Sequence, residues 1–410
     1  MIDYPNKLEN IFEKLNKNNI RAVIVGGYVR DSLLNINSKD IDIELYGISS
    51  LCKVENLLQE FGDTNSVGKS FGVCKLRYDE LDLDFTLPRE EIKNSLGHCG
   101  FTVKTNKNLN FRAASIRRDF TINAMGYDVV EKKLLDPFNG KKDLNAKILR
   151  VVNEKTFVED PLRVLRAVQF SARFHLSIDK NLLKLSRKMV KDGALNELSK
   201  ERIFDEIKKF LLKSQTPSIG LVLLKELHLF HFFVELQNLS EEDYHITLRR
   251  VDNMSKILKK NKNSLALMLV TLTSKLNKSQ TLSFVSKLTN ERKLIEKILL
   301  LKESVLNTNM SDEELYKVAE FNSIESTLLY YEVLYPQNKE AYKRVKKRAI
   351  ELRVFNEKLI PLIQGRDLIK IGMKPSKEFA EILARAYKAQ MGGEFKNFDE
   401  AILWLKKERI

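Results

Sequence analysis

The sequence predicts an α+β protein: a head built on a mixed β-sheet, then helices to the end of the chain. Three observations carry this. Short β-type runs such as RAVIVGG, DIDIELYG, GVCKLRYDELDLDFTLP and YDVVEKKLLDPF fall before about Asp143. From Pro161 onward Leu, Ile and Lys recur at the helical period with few Gly or Pro. At 410 residues the chain exceeds one ordinary core, so about two to four domains are expected. Its composition, 43% hydrophobic and 30% charged, suits a globular protein with a sizeable interior.

The start MIDYPNKLEN lacks the basic and apolar regions of a signal peptide. No apolar run approaches the roughly 18–20 residues of a membrane helix, so no membrane partner and a cytoplasmic location are expected. Cys52, Cys74 and Cys99 are too few and too irregular for a disulfide framework or a zinc site, and read as buried reduced thiols. Net charge is +15, from 70 Lys and Arg against 55 Asp and Glu. Such an excess makes nucleic acid the first partner to consider, although lysines on solvated helix faces account for it equally well.

Taken in order, VIVGGYVRD reads as an apolar strand turning through Gly26 and Gly27 into a helix. Backbone amides there can approach a triphosphate, and Arg30 adds charge. Alone, a Gly-Gly pair is more often a plain strand-to-helix turn. The next strand, KDIDIEL, alternates Asp40 and Asp42 with Ile41 and Ile43. The acids share one face and the isoleucines enter the core. Two like charges a few ångströms apart need compensation, and hard oxygen ligands suit Mg²⁺, which takes one or two carboxylates plus substrate phosphates. Solvated acids on an edge strand are the plain alternative.

In DELDLDFTLPRE, Asp82 and Asp84 again share a face. Lying antiparallel to the first strand, this segment is expected to bring a third carboxylate to the same ions. Three acids around two ions roughly 3.5–4 Å apart form the clamp for in-line phosphoryl transfer. Asp40, Asp42 and Asp84 are therefore the candidate catalytic residues, with Asp40 and Asp42 as metal ligands and Asp82 the rival for third acid.

GGYVRD, KDIDI, DFTLPRE, RRDFTINAM, DPFNG, EDPLRVLRAVQFSARF and LSKERIFDEI follow one another in this chain. In that order they resemble the motifs of the class II tRNA nucleotidyltransferase and bacterial poly(A) polymerase family, over about the first half of the sequence. The resemblance implies a polymerase-β-type nucleotidyltransferase head (1–143), a helical neck with a nucleotide-selecting helix (144–215), a helical body (216–340) and a helical tail (341–410) with tRNA binding. It implies template-independent addition of CMP and AMP to the 3′ end of tRNA, with CTP and ATP as substrates, Mg²⁺ as cofactor and pyrophosphate released. From the family, Arg118, Asp119 and Asn123 are expected to meet the ribose and phosphates of the incoming nucleotide. Arg117 and Arg118 read equally as partly surface charge, and Phe120, Ile122 and Met125 as core.

Asp160 and Arg163 take the family's nucleotide-selecting positions, on a segment read as helical throughout, where they share a side. Alone, the pair would be an intrahelical ion bridge. Its chemistry fits selection: cytosine and adenine each present an exocyclic amine beside an unprotonated ring nitrogen, which an acceptor-only Asp and a donor-only Arg match. Uracil and guanine present the opposite order.

DPFNG reads as a turn. Ser199 caps a helix with Glu201 in its first turn, and Glu201, Arg202 and Glu206 are expected to brace the neck. SEEDYHITLRRVDNMSKI resembles the opening of an HD phosphohydrolase domain. Thr273 and Ser274 stand where its His-Asp pair would fall, and neither can replace those ligands. His98, His175, His228, His231 and His245 show no ligand grouping. Gly365, Arg366 and Asp367 open a helical unit, and Ile92 to Ala114, polar and glycine-containing, is expected to be a mobile loop. The rival readings are a poly(A) polymerase, a CC-only or A-only enzyme, and a non-catalytic RNA-binding protein. Against the first, SVGKSFGVCKLRYDE stands where that subgroup has an Arg-rich stretch.

Overall fold

The computed structural model describes residues 2–65, 72–93, 101–258 and 264–407. The chain divides into two compact units, Met1–Phe232 and Phe233–Ile410.

The first unit holds strands β1 (Arg21–Val25), β2 (Asp40–Tyr46), β3 (Thr64–Asn65), β4 (Val73–Tyr78), β5 (Leu81–Thr86), β6 (Arg89–Lys93), β7 (Phe101–Thr105), β8 (Gly126–Asp128) and β9 (Lys133–Leu135). Seven of them form a mixed sheet in the order β3-β4-β5-β2-β1-β8-β9, and β6 pairs with β7 apart from it. α1 (Glu9–Lys17) precedes these strands, α2 (Gly27–Leu33), α3 (Leu51–Leu58) and α4 (Phe111–Ser115) lie among them, and α5 (Gly140–Asn145) follows β9. After them come α6 (Glu154–Phe157), α7 (Leu162–Phe174), α8 (Lys180–Lys191), α9 (Lys200–Lys213) and α10 (Ser218–Glu226).

Strand alternation works as expected: Ile41, Ile43, Leu83 and Phe85 are buried, while Asp40 and Asp42 stay exposed on the other face. The direction of β5 is not as expected. It pairs with β2 in parallel, with Asp40 opposite Asp82 and Asp42 opposite Asp84. The chain leaves β2 through α3, a crossover of the kind parallel neighbours require. It then reverses between β4 and β5 over Asp79 and Glu80, with Tyr78 opposite Leu81. Asp79 is left-handed there (φ 54°), the conformation a two-residue hairpin turn needs.

Further along the acid face, Glu44 and Tyr46 are buried. Tyr46, Val23, Val25, Phe111 and Ala114 form one apolar cluster under α4. The face is thus polar at its start and apolar at its end. Gly126 permits this: a Cβ there would come within 2.6 Å of the Phe111 ring and 2.9 Å of Val23.

Phe120, Ile122 and Met125 are core. In DPFNG, Asp136 accepts from the amides of Gly140 (2.6 Å) and Lys141 (3.0 Å), so the turn caps α5. Ser199 caps α9 by accepting from the Arg202 amide, with Glu201 in the first turn. Arg202 bonds to Asp160 at 3.3 Å, and Ser214 Oγ donates to the Ala172 carbonyl at 2.6 Å. These two contacts, one near each end, set α7 and α9 side by side in the same direction. Within Ile92–Ala114 the described part comprises the end of β6, all of β7 and the start of α4. Residues 94–100, with His98 and Cys99, lie outside the described residues. Cys74 is buried but Cys52 is exposed, because it lies on the outward side of α3.

The second unit contains α11 (Val234–Gln237), α12 (Glu241–Leu258), α13 (Ser264–Leu272), α14 (Lys278–Leu288), α15 (Arg292–Glu303) and α16 (Asp312–Phe321). It continues with α17 (Ile324–Leu334), α18 (Lys339–Glu351), α19 (Gly365–Lys370), α20 (Glu378–Met391) and α21 (Phe398–Lys407), and has no strand among its described residues. Two of its apolar cores are distinct, one around Leu315, Ile324 and Tyr342 and one around Leu368, Phe395 and Leu405. Thr273 Oγ1 donates to the Leu269 carbonyl (2.8 Å), and its own carbonyl accepts from Lys302 (2.6 Å). Ser274 accepts from Arg250 (3.1 Å). Two cations therefore occupy the neighbourhood of this pair, and burial, with Arg250 adding to it, pushes the Lys302 amine down to about 8. Among the described residues no helix is long and apolar enough to cross a membrane.

Candidate active site

β2 sits between β1 and β5, so Asp42 has Val25 on one side and Asp84 on the other. The chain leaves β1 at Gly26, whose φ of +71° suits glycine. A Cβ there would lie 2.8 Å from Arg118 Nη1 and 3.8 Å from Asp42 Oδ2. Gly26 therefore lets the Arg118 guanidinium and the Asp42 carboxylate close in on the start of α2.

On the β5 side a cleft of about 520 Å³ is lined by Asp40, Asp42, Asp82 and Asp84, together with Asp63, Lys75 and Arg77. Lys75 Nζ donates to Asp84 Oδ2 at 3.1 Å. Desolvation within the site raises the Asp42 pKa; Arg118 opposes this, and the Asp84 and Asp40 charges reinforce it. Asp84, beside Asp42 in register, acts on it directly. Asp82, one pleat away, is opposite Asp40. Asp82 and Asp84 thus each lie in register with one acid of β2, and both line the cleft.

A second cleft, of about 510 Å³, shares Asp42 as a wall. All eight residues singled out for nucleotide binding line it: Gly26, Gly27, Arg30, Arg118, Asp119, Asn123, Asp160 and Arg163. The segment is not helical throughout as the sequence predicts: α7 begins only at Leu162, after Pro161, so Asp160 precedes the helix, and the plain alternative of an intrahelical bridge to Arg163 is not formed. Proline suits a helix start. Asp160 Oδ1 accepts from the Leu162 amide (3.2 Å) and from Arg202 (3.3 Å). Arg163 donates to the carbonyls of Thr156 and Arg117, each at 2.6 Å. Both side chains are thus held by partners outside the pair, and both line the cleft.

Beneath them runs a buried polar chain. Asp119 Oδ1 accepts from the Phe120 amide (2.8 Å) and Asn123 Nδ2 (3.0 Å), and its Oδ2 accepts from Arg166 Nε (2.8 Å). Burial alone would raise the Asp119 pKa, but Arg166 and the Asn123 amide hold it below the usual carboxylate range. Asn123 Oδ1 accepts from Arg30 Nη1 at 2.5 Å. Arg30 is buried, lies over the Phe170 and Phe174 rings (5.1 and 4.5 Å), and pairs with Asp31 at 2.7 Å. These groups form a scaffold that joins α2, the 119–123 turn and α7.

The sequence reading left Arg166, Arg173 and Lys75 out of the site. Arg163, Arg166, Phe170 and Arg173 all line the cleft at helical steps, and that spacing was a usable signal. For Lys75 there was none, because its place depends on the β4–β5 register, which sets it opposite Asp84. Among the described residues, no three His, Cys, Asp or Glu side chains are grouped closely enough to hold an ion by themselves. Hard carboxylates on two adjacent strands nevertheless fit a hard divalent ion whose shell is completed by oxygens from elsewhere.

Residues 22–150 match the family described as the poly A polymerase head domain, 175–239 the probable RNA and SrmB-binding site of polymerase A, and 258–405 the putative tRNA nucleotidyltransferase domain 2. The multifunctional CCA protein of Haemophilus ducreyi is 37% identical over 212 residues, covering 51% of this chain and 49% of that protein. The CCA-adding enzyme of Buchnera aphidicola subsp. Schizaphis graminum is 38% identical over 203 residues, covering 49% and 47%. The chain spans about half the length of the curated relatives it matches. Among solved structures, the Bacillus stearothermophilus CCA-adding enzyme in complex with CTP superposes with a TM-score of 0.75 at 21% identity, covering 99% of this chain and 98% of that one. A CCA-adding enzyme in its apo form II gives 0.72 at 22%, covering 99% and 96%. At such identity the likeness is one of fold.

Proposed function

We propose that the chain is a member of the class II tRNA nucleotidyltransferase and bacterial poly(A) polymerase family, a reading supported by the three successive family models that match it, and that it adds CMP and AMP to the 3′ end of tRNA in the cytoplasm, without a template and with release of pyrophosphate. One observation carries the reading: Asp42 is a wall of both clefts, so the acid cluster and the Asp160/Arg163 pair address one bound nucleotide.

Asp40, Asp42 and Asp84 would hold Mg²⁺, which supplies charge neutralisation for the triphosphate and acidifies the attacking hydroxyl. The Gly26–Gly27 turn lets the phosphates approach the backbone, with Arg118 beside it to pair with phosphate oxygens. At the other end of the cleft, Asp160 accepts from the base's exocyclic amine and Arg163 donates to its ring nitrogen. Arg202 keeps one Asp160 oxygen engaged and so orients the carboxylate. Asp119, Asn123 and Arg30 act chiefly by positioning, since their polar atoms are bonded to one another and to Arg166. The domain divisions at residues 143, 215 and 340 belong to the same reading, with the helical body a degenerate HD-like region and the tail a contributor to tRNA binding.

The test is incubation with tRNA lacking its CCA end and labelled CTP and ATP, singly and together. Extension by three nucleotides supports the reading, whereas CC, A alone or a long A tract assigns the rival activities. Asp42→Ala should lower incorporation by orders of magnitude and hold or raise the melting temperature, because it removes a repelled charge. Near-normal incorporation by that variant would remove the acids from the mechanism.

A further inference from the structure

Lys75 is the one cation that hydrogen-bonds a member of the acid cluster among the described residues, through its 3.1 Å contact with Asp84 Oδ2. This pairing is fixed by the sheet: β4 and β5 are antiparallel with Lys75 opposite Asp84, and Asp84 is in turn opposite Asp42 on β2. Lys75, Asp84 and Asp42 thus lie in a row across three neighbouring strands. On the far side of Asp42, Arg118 reaches toward Gly26 and favours the charged carboxylate. The acid pair is bracketed by a built-in cation on each flank.

A divalent ion taking oxygens from Asp42 and Asp84 needs the same carboxylate that Lys75 holds. We propose that Lys75 is a positioning residue that acts as the counter-ion of Asp84 in the metal-free protein and yields it to the divalent ion, so that ion binding exchanges one cation for another. The inference rests on the reading of Asp40, Asp42 and Asp84 as metal acids. It gives Lys75 two opposed effects. The lysine holds Asp84 aimed along the row, and it weakens ion binding by competing for Asp84. Its side chain is 51% exposed and that of Asp84 32%, so the competition has the modest scale of a solvated ion pair.

The experiment measures Mn²⁺ binding to the full metal-free chain by electron paramagnetic resonance of the free ion, with Mg²⁺ competition, in wild type, Lys75→Met and Lys75→Arg. Lys75→Met should bind Mn²⁺ about two- to fivefold more tightly, and its melting temperature should rise more on adding Mn²⁺ than that of wild type. Lys75→Arg keeps the charge and should stay near wild type. Equal or weaker binding by Lys75→Met overturns the proposal while leaving the metal acids in place. If wild type binds no Mn²⁺ with CTP present or absent, and Asp42→Ala is indistinguishable from it, the metal reading itself falls and the proposal with it.

Discussion

At the scale of single residues, the selecting role proposed for Asp160 and Arg163 is open to a direct test. Each of Asp160 and Arg163 has its anchors outside the pair, so neither side chain loses its position when the other is removed. Arg163→Ala deletes a donor and Asp160→Ala an acceptor, and each should lower the ratio of CTP to UTP catalytic efficiency by about tenfold or more, since a lost or unpaired buried group is worth roughly 1–3 kcal/mol. An unchanged ratio with both variants folded would mean that selection lies elsewhere. Lys302 offers a pH test in the second unit. Its folded pKa is depressed to about 8 from 10.5, so between those values the unfolded chain holds a proton that the folded chain has lost. Stability should therefore rise with pH across that window and be flat below it. Lys302→Met should abolish the rise; urea titrations at pH 7.5, 9 and 10 would show it, and parallel slopes in both proteins would contradict it.

At the scale of elements, alternation within β2 and β5 was legible because a strand needs only neighbouring residues to declare its faces. Their relative direction was not, since it depends on α3 and on the hairpin at Asp79. The start of α7 was similarly hidden: the segment has helical spacing throughout, but the helix begins only after Pro161 and Asp160 finds its partner on α9. Local spacing cannot name a partner on another helix. Capping, by contrast, is local, and Ser199 was readable from its own neighbourhood. The close approach of α4 to the sheet also has a local gatekeeper in Gly126. Gly126→Ala should push the Phe111 ring off Val23 and cost about 1–3 kcal/mol, the usual scale of overpacking. A melting temperature within 1–2 °C of wild type, an estimate for a loss well under that range, would show that the ring moves freely.

At the scale of the whole molecule, every residue lining the cleft that holds Asp160 and Arg163 belongs to the first unit. That unit has its own seven-stranded sheet and buried core. Residues 1–232 made alone should therefore bind CTP with an affinity within about threefold of the full chain, a difference under 1 kcal/mol. Loss of binding by a folded fragment, checked by calorimetry beside circular dichroism, would show that the second unit contributes to the cleft. The helical second half was legible as helix from composition, whereas the cations beside Thr273 and Ser274 were not, because Arg250 and Lys302 come from helices far apart in sequence. One property of the sheet reaches into how the molecule is made. Asp42 and Asp84 become neighbours only after the chain has passed through α3 and the β4–β5 hairpin has docked against β2. Before that crossover closes, a growing or refolding chain has β2 acids without their partner strand. A β5 docked one residue out of step would present Leu83 or Phe85 in place of Asp84 while leaving overall helix content intact. On the proposed activity, turnover per mole of chain counts the molecules that have completed one long-range pairing, and would expose misassembled protein that spectroscopy accepts as native.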